Sequence, residues 1–285
     1  MKPFEYLEPA TLDEAIALLQ RCKGTPYAGG TDLLVQMKEH LRQPSHLIDI
    51  KKIAGLDGLT YDERDGLRIG ALTTTRTVET SELVRQHFAS LCQAVTHFAS
   101  IQVRHRATVV GNVCRASPSA DSLPPLIADG ATLALRGPGG TRIVAVEDFC
   151  TGPGKTVLAA DELVTHILVP PPPPHTGKAY LKLGRRVEME LATVGVAVTL
   201  TLQGSTCREV RIALAAVAPT PIRARRAEAL LRGQAINADV IAAAAQKASD
   251  EARPIGDVRG SADYRREMVA VLARRALEQA LEVAQ

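Results

Sequence analysis

The sequence has no tryptophan, and phenylalanine, tyrosine and tryptophan together make up only 3% of its 285 residues. Single-stranded nucleic acid is bound on stacked rings, and duplex binders carry a concentrated basic stripe. Neither is present. Basic residues number 34 against 31 acidic ones, a net charge of +3. The local clusters Arg223, Arg225, Arg226 and Arg265, Arg266 fall in helical patterns that read as solvated faces. Nucleic acid is not an expected partner.

Cysteine is sparse as well. Cys22, Cys92, Cys114, Cys150 and Cys207 are odd in number and show no C-x-x-C spacing, which argues against a disulfide framework and against a zinc or iron–sulfur site within the chain. A reducing, cytoplasmic setting is expected. No apolar run reaches membrane-spanning length, and Met1-Lys-Pro-Phe-Glu-Tyr6 lacks the pattern of an export signal. The seven histidines (His40, His46, His87, His97, His105, His166 and His175) show no H-x-x-x-H or H-E-x-x-H spacing, and no serine sits in G-x-S-x-G. No catalytic residue and no metal ligand is assigned. G-x-G-x-x-G is missing, so a Rossmann dinucleotide site has no support. Thr151-Gly-Pro-Gly-Lys-Thr156 ends like a phosphate-binding P-loop, but Phe149 stands where the first glycine belongs. A turn between strands is the expected role.

What remains is an ordinary globular composition, 46% hydrophobic and 23% charged, long enough for two or three subdomains. Thr11-Leu-Asp-Glu14 has capping-box spacing ahead of an apolar stripe, which predicts a first helix ending near Gly24. Strands are predicted at Thr25–Ala28, His46–Ile50 and Leu67–Leu72, and one or two helices from Thr77 to about Phe98. Ser100–Arg106 reads as a polar connection. Ala131–Leu135 and Thr141–Val146 flank Gly137-Pro-Gly-Gly140 as a hairpin, and Glu162–Val169 adds a further strand. The prolines 170–174 impose a stiff extended connector, taken as a domain boundary. Beyond it come a small antiparallel sheet and three alanine-rich helices, the last spanning Ser261–Val283.

Two stretches stand out by their small and hydroxyl residues. Tyr27-Ala-Gly-Gly-Thr-Asp-Leu-Leu34 places two glycines where backbone N–H groups can converge on a diphosphate. Thr108-Val-Val-Gly-Asn-Val-Cys-Arg-Ala-Ser-Pro-Ser-Ala-Asp121 supplies Thr108, Gly111, Asn112, Ser117 and Ser119 as donors, and Asp121 as an acceptor for sugar or ribityl hydroxyls. Either stretch alone reads more simply as a capped tight turn. Together they have the profile of a dinucleotide site.

These two stretches resemble the FAD-binding signatures of the medium, flavin-carrying subunit of molybdenum hydroxylases. That family includes xanthine dehydrogenases and aerobic carbon monoxide dehydrogenases, with nicotinate and hydroxybenzoyl-CoA relatives. The likeness runs through Tyr180-Leu-Lys-Leu-Gly-Arg-Arg186, similar to the strand opening the family's C-terminal domain, and Val258-Arg-Gly-Ser-Ala-Asp-Tyr-Arg-Arg266, similar to its final helix entry. It implies an α+β fold: a two-lobed, vanillyl-alcohol-oxidase-like (PCMH-type) FAD-binding domain over residues 1–174, with lobes at about 1–55 and 56–174, then a small α+β domain over 175–285.

By the same resemblance, Tyr27, Ala28, Gly29, Gly30, Thr31, Asp32 and Leu33 would wrap the diphosphate and adjoining ribityl. Thr108, Gly111, Asn112 and Ser117 would continue the cradle. Asp121 would bind ribityl or ribose hydroxyls. Lys182 and Tyr180 would face the isoalloxazine, with Leu158 nearby. The family often has a second glycine where this chain has Val110, and the cysteine-bearing insertion of the hydroxybenzoyl-CoA reductases is missing. The implied function is that of a flavoprotein subunit, working beside a large molybdenum-cofactor subunit and a small subunit with 2Fe-2S clusters, as a dimer of heterotrimers. Electrons would pass from those clusters to FAD and on to NAD⁺, oxygen or another acceptor. The alternative is a stand-alone FAD-dependent oxidase or dehydrogenase of the same fold, acting on a small organic substrate.

Overall fold

The computed structural model describes residues 1–186 and 189–285. Its first sheet has three parallel strands in the order Glu5–Leu7, His46–Asp49, Thr25–Tyr27. Helix Leu12–Cys22 connects the first of these to the last and buries Ala15, Ile16 and Leu19. Its start is capped on both sides: Glu14 N–H donates to Thr11 Oγ1 (3.2 Å), and the Glu14 carboxylate reaches back to accept from Ala10 N–H (2.8 Å), one residue before the N-cap. The helix ends at Lys23, which adopts a left-handed conformation.

The second sheet is antiparallel, in the order Leu59–Asp62, Gly66–Gly70, Leu163–Val169, Thr132–Gly137, Gly140–Ala145. The last two strands pair up to Gly137 opposite Gly140, so the hairpin closes over Pro138-Gly139 as the sequence predicts. Alternation sets Leu67, Ile69, Leu133, Leu135, Ile167 and Val169 on its inner face, where they join one core with Val109, Val110, Val113 and the helix at Ala89–Thr96.

The segment predicted as one or two helices forms three, Thr75–Thr80, Glu82–His87 and Ala89–Thr96. Ser81 ends the first and caps the second, its Oγ accepting from Val84 N–H. The connection Ser100–Arg106 also contains a helical turn, Ile101–Arg104. Arg104 is drawn inward there. Its guanidinium pairs with Glu79 (2.9 Å) and donates to the carbonyls of Thr96, Phe98 and Ala99.

After the proline run, the third sheet is antiparallel in the order Thr176–Leu183, Val194–Gln203, Thr206–Ala215, Ile222–Arg223. Helices Arg225–Leu231, Ala238–Glu251 and Ala262–Ala284 follow. The last lies across the sheet so closely that a Cβ on Gly177 would sit 1.8 Å from the Ala280 carbonyl oxygen. The strand Thr176–Leu183 serves two cores at once. Ala179 and Leu181 pack with the C-terminal helices, whereas Tyr180 packs into the core beneath the second sheet. The alternate positions Lys178, Tyr180 and Lys182 therefore share the face turned toward the N-terminal part.

Candidate functional site

Tyr27 ends a strand of the first sheet opposite Asp49, and the chain then turns through Ala28-Gly29-Gly30. Both glycines are required. A Cβ on Gly29 would lie 2.1 Å from the Arg106 carbonyl oxygen, so only glycine lets this turn abut the segment leading into Thr108. Gly30 has φ +72°, and a Cβ there would lie 2.4 Å from the Tyr27 ring. That ring forms the floor of the turn. Lys51 Nζ sits 3.8 Å from its centroid and 2.6 Å from Asp49, which also accepts a hydrogen bond from the Tyr6 hydroxyl. Desolvation of Asp49 is outweighed by Lys51 and Tyr6, so its carboxyl is held below the usual range, while the Tyr6 phenol is pushed up to about 12 by that carboxylate.

The turn leaves backbone donors open. From Gly29 through Leu33, no amide N–H donates to an acceptor among the described residues; pairing resumes with Leu34 N–H to the Gly30 carbonyl (3.0 Å). Unpaired consecutive N–H groups on a glycine turn are what an anionic oxygen cluster needs.

The second stretch is differently built. Thr108 is not loop but the N-cap of helix Val109–Arg115, its Oγ1 accepting from Gly111 N–H at 2.9 Å. Val109 N–H donates to the Thr73 carbonyl and Asn112 N–H to the Thr108 carbonyl, so most first-turn donors are already used. Gly111 is exposed, and among the described residues a Cβ there would meet only Thr108 Oγ1, at 2.8 Å. Asn112 Oδ1 accepts from the Ser122 hydroxyl (2.7 Å), which leaves the NH₂ end of the amide as the donor for a ligand. Ser117 Oγ accepts from Ser119 N–H (3.3 Å). Arg115, in the last turn of the helix, reaches Asp32 at 2.6 Å and so ties the helix to the glycine turn.

Asp121, Tyr180 and Lys182 come together, across the junction of the two parts. The Tyr180 hydroxyl donates to Asp121 Oδ1 (2.8 Å) and Lys182 Nζ to Asp121 Oδ2 (2.9 Å); Lys182 also donates to the His97 carbonyl (3.1 Å). Burial raises the Asp121 carboxyl above its ordinary range, with Lys182 and Tyr180 opposing the shift. Burial and the neighbouring carboxylate likewise push the Tyr180 phenol well up. A hydroxyl ligand would reach Asp121 only through the lone pairs these two donors leave. Leu158 is half-buried against the N-terminal core, its N–H on Thr156 Oγ1 (3.3 Å).

Several contributors escape sequence reasoning. Lys178 pairs with buried Asp129 (2.9 Å), which also accepts from the Thr199 hydroxyl (2.7 Å). Its signal was present in the alternation Lys178, Tyr180, Lys182. Asp49, Lys51 and Arg115 had none, because each acts through pairing across distant strands or helices. Among the described residues no group of three or more His, Cys, Asp or Glu side chains could hold a metal ion, and no helix is long and apolar enough to cross a membrane.

The open amides of Gly29–Leu33 are the donors an anionic group needs, and comparison with known proteins shows an FAD-binding family. Residues 2–172 match the family model described as the FAD binding domain in molybdopterin dehydrogenase, and residues 178–280 match the CO dehydrogenase flavoprotein C-terminal domain. The putative xanthine dehydrogenase FAD-binding subunit of Escherichia coli K12 is 34% identical over 98% of this chain and 96% of its own length. The carbon monoxide dehydrogenase medium chain of Hydrogenophaga pseudoflava is 37% identical over 97% of this chain and 96% of its own. A solved structure of carbon monoxide dehydrogenase from that organism superposes with a TM-score of 0.95 at 38% identity, covering 99% of this chain and 98% of the other.

Proposed function

The chain belongs to the FAD-binding medium subunits of molybdenum hydroxylases, oxidoreductases of the xanthine dehydrogenase and carbon monoxide dehydrogenase type, and on that premise we propose that it relays electrons between partner subunits and a diffusible acceptor. The electrons would arrive from 2Fe-2S clusters of a small subunit, after oxidation of substrate at the molybdenum cofactor of a large one. They would leave to NAD⁺, oxygen or another acceptor. Bound FAD supplies the exchange between single electrons and pairs.

The chain's own residues bind and orient. The amides of Gly29 to Leu33 would hold the diphosphate, with Tyr27 as their floor and Ala28 at the entry. Asn112 would add its amide NH₂, and Ser117 its hydroxyl. Thr108 and Gly111 would contribute by shaping the helix start that meets Gly29. Asp121, Tyr180 and Lys182 would close the site at the domain junction, and Leu158 would contribute apolar surface. None of these residues has to move a proton.

The observation that carries the reading is the run of unpaired amides bedded on the Arg106–Ala107 backbone. The test is the visible spectrum of the purified chain. A flavin absorbance, present on isolation or after incubation with FAD, is expected, and its absence would sink the proposal. Copurification of two further subunits with the tagged chain is expected too. Turnover of a simple alcohol by the chain alone would instead favour a stand-alone oxidase.

A further inference from the structure

On the second sheet, the face opposite the core carries Arg68, His166 and Arg136, at alternate positions of three adjacent strands. That face is partly covered, and the groove left beside the covering is open to solvent. A Cβ on Gly70 would lie 2.3 Å from the Leu56 carbonyl oxygen, so the segment around Ala54–Gly58 rests directly on it, and the start of helix Leu12–Cys22 forms a second wall. Between them is an open groove of about 460 Å³ lined by Arg68, Arg136, His166, Thr11, Asp13 and Thr165, among others. That is the size of a small-molecule site.

The charges facing it are not balanced. Arg136 is paired with Asp13 (3.0 Å), but the Arg68 guanidinium has no ion-pair or hydrogen-bond partner among the described residues. Burial and the charge of Arg68 both lower the pKa of His166, which places imidazole and guanidinium within each other's field. The tautomer of His166 follows from its neighbour. The Thr165 hydroxyl lies 3.2 Å from the Ala134 carbonyl and 3.0 Å from Nδ1, and when it donates to the carbonyl the Nδ1 contact carries the imidazole proton. Nε2 is left as an acceptor beside an uncompensated cation.

We propose that this groove binds a phosphate group, with Arg68 and Arg136 on its oxygens and His166 Nε2 accepting from its P–OH. A carboxylate would satisfy the arginines but brings no proton, whereas a phosphate monoanion, the main form of a monoester below its second pKa of about 6, brings both. The volume exceeds what phosphate alone fills, so a phosphate monoester is the expected form. The site is separate from the glycine turn, because helix Val109–Arg115 packs on the inner face of the same sheet.

The test is calorimetric titration of the full chain, saturated with FAD so that the glycine turn is occupied, using inorganic phosphate and ribose 5-phosphate against chloride at equal ionic strength. Saturable binding is expected, weakened at least about tenfold by Arg68→Gln and by His166→Gln, the loss of one contact to the anion each, and unchanged by Arg21→Gln at the exposed C-terminal end of the first helix. Tighter binding of ribose 5-phosphate would assign the groove to monoesters, and equal or weaker binding to the free ion. No saturable heat up to about 10 mM, a level that reveals millimolar sites, would overturn the proposal. So would binding that FAD abolishes, or that survives both substitutions. If Arg68→Gln fails to fold, His166→Gln carries the test.

Discussion

Replacing Lys182 with methionine would strand a buried carboxylate. The side chains of Lys182 and Asp121 are 8% and 7% exposed and 2.9 Å apart, so solvent screens the pair little. At an effective dielectric constant of about 20 their attraction is roughly 6 kcal/mol before desolvation is counted, and removing one partner of such a pair costs about 3–5 kcal/mol net. The Tyr180 hydroxyl still donates to Asp121, which argues for the lower end. Urea unfolding followed by circular dichroism would read the loss as a shift of midpoint at unchanged slope. The loss depends on pH. Asp121 already has a raised proton affinity in the folded chain, and without Lys182 it rises further, so the folded variant takes up a proton more readily than the unfolded one. That contribution is fully present below the ordinary carboxyl value and is lost as pH rises through the raised one. The deficit of the variant should therefore be small near pH 4 and largest above neutrality. Asp121→Asn with Lys182→Met should cost clearly less than the two single changes added together. A deficit that is flat in pH, together with additive single losses, would refute the ion pair as the fastening of the two parts.

Further outcomes can be checked more simply. Gly29→Ala should abolish FAD uptake, because its Cβ has no room against the Arg106 carbonyl; a normal flavin spectrum in this variant would mean the turn is not the diphosphate site. Thr108→Ala removes the cap on Gly111 N–H and should cost about 1 kcal/mol, a melting shift of a few degrees by calorimetry. Cys114 and Cys150 have thiol pKa values pushed up by burial to about 12 and about 11, so iodoacetamide at pH 8 should leave both unlabelled by mass spectrometry until urea is added. Asp121→Ala should lower FAD occupancy, measured as flavin absorbance per protein.

Local chemistry carried much of the fold into the sequence. The N-cap at Thr11 and the hairpin at Gly137–Gly140 were legible, because each is decided within a few residues. The glycine turn was legible for the same reason. Its neighbour reads as a capped tight turn from its small and hydroxyl residues, yet Val109, Val110 and Val113 supply a buried helical stripe that a single cap suffices to start. What the sequence hid is long-range: Asp49 beside Tyr27 through strand register, Arg115 on Asp32, and Asp129 paired with Lys178. Loop closure sets those pairs, and no local period announces them.

The strand Thr176–Leu183, with a different core on each side, limits how this chain can be recombined. A chimera that takes its C-terminal part from a relative must bring compatible partners for Asp121 and Asp129 at alternate strand positions, or accept two carboxylates facing a foreign surface. Grafts cut at the prolines should succeed only between parents that share both pairings, so interchange of parts in this lineage is gated by a few interior charges more than by overall likeness.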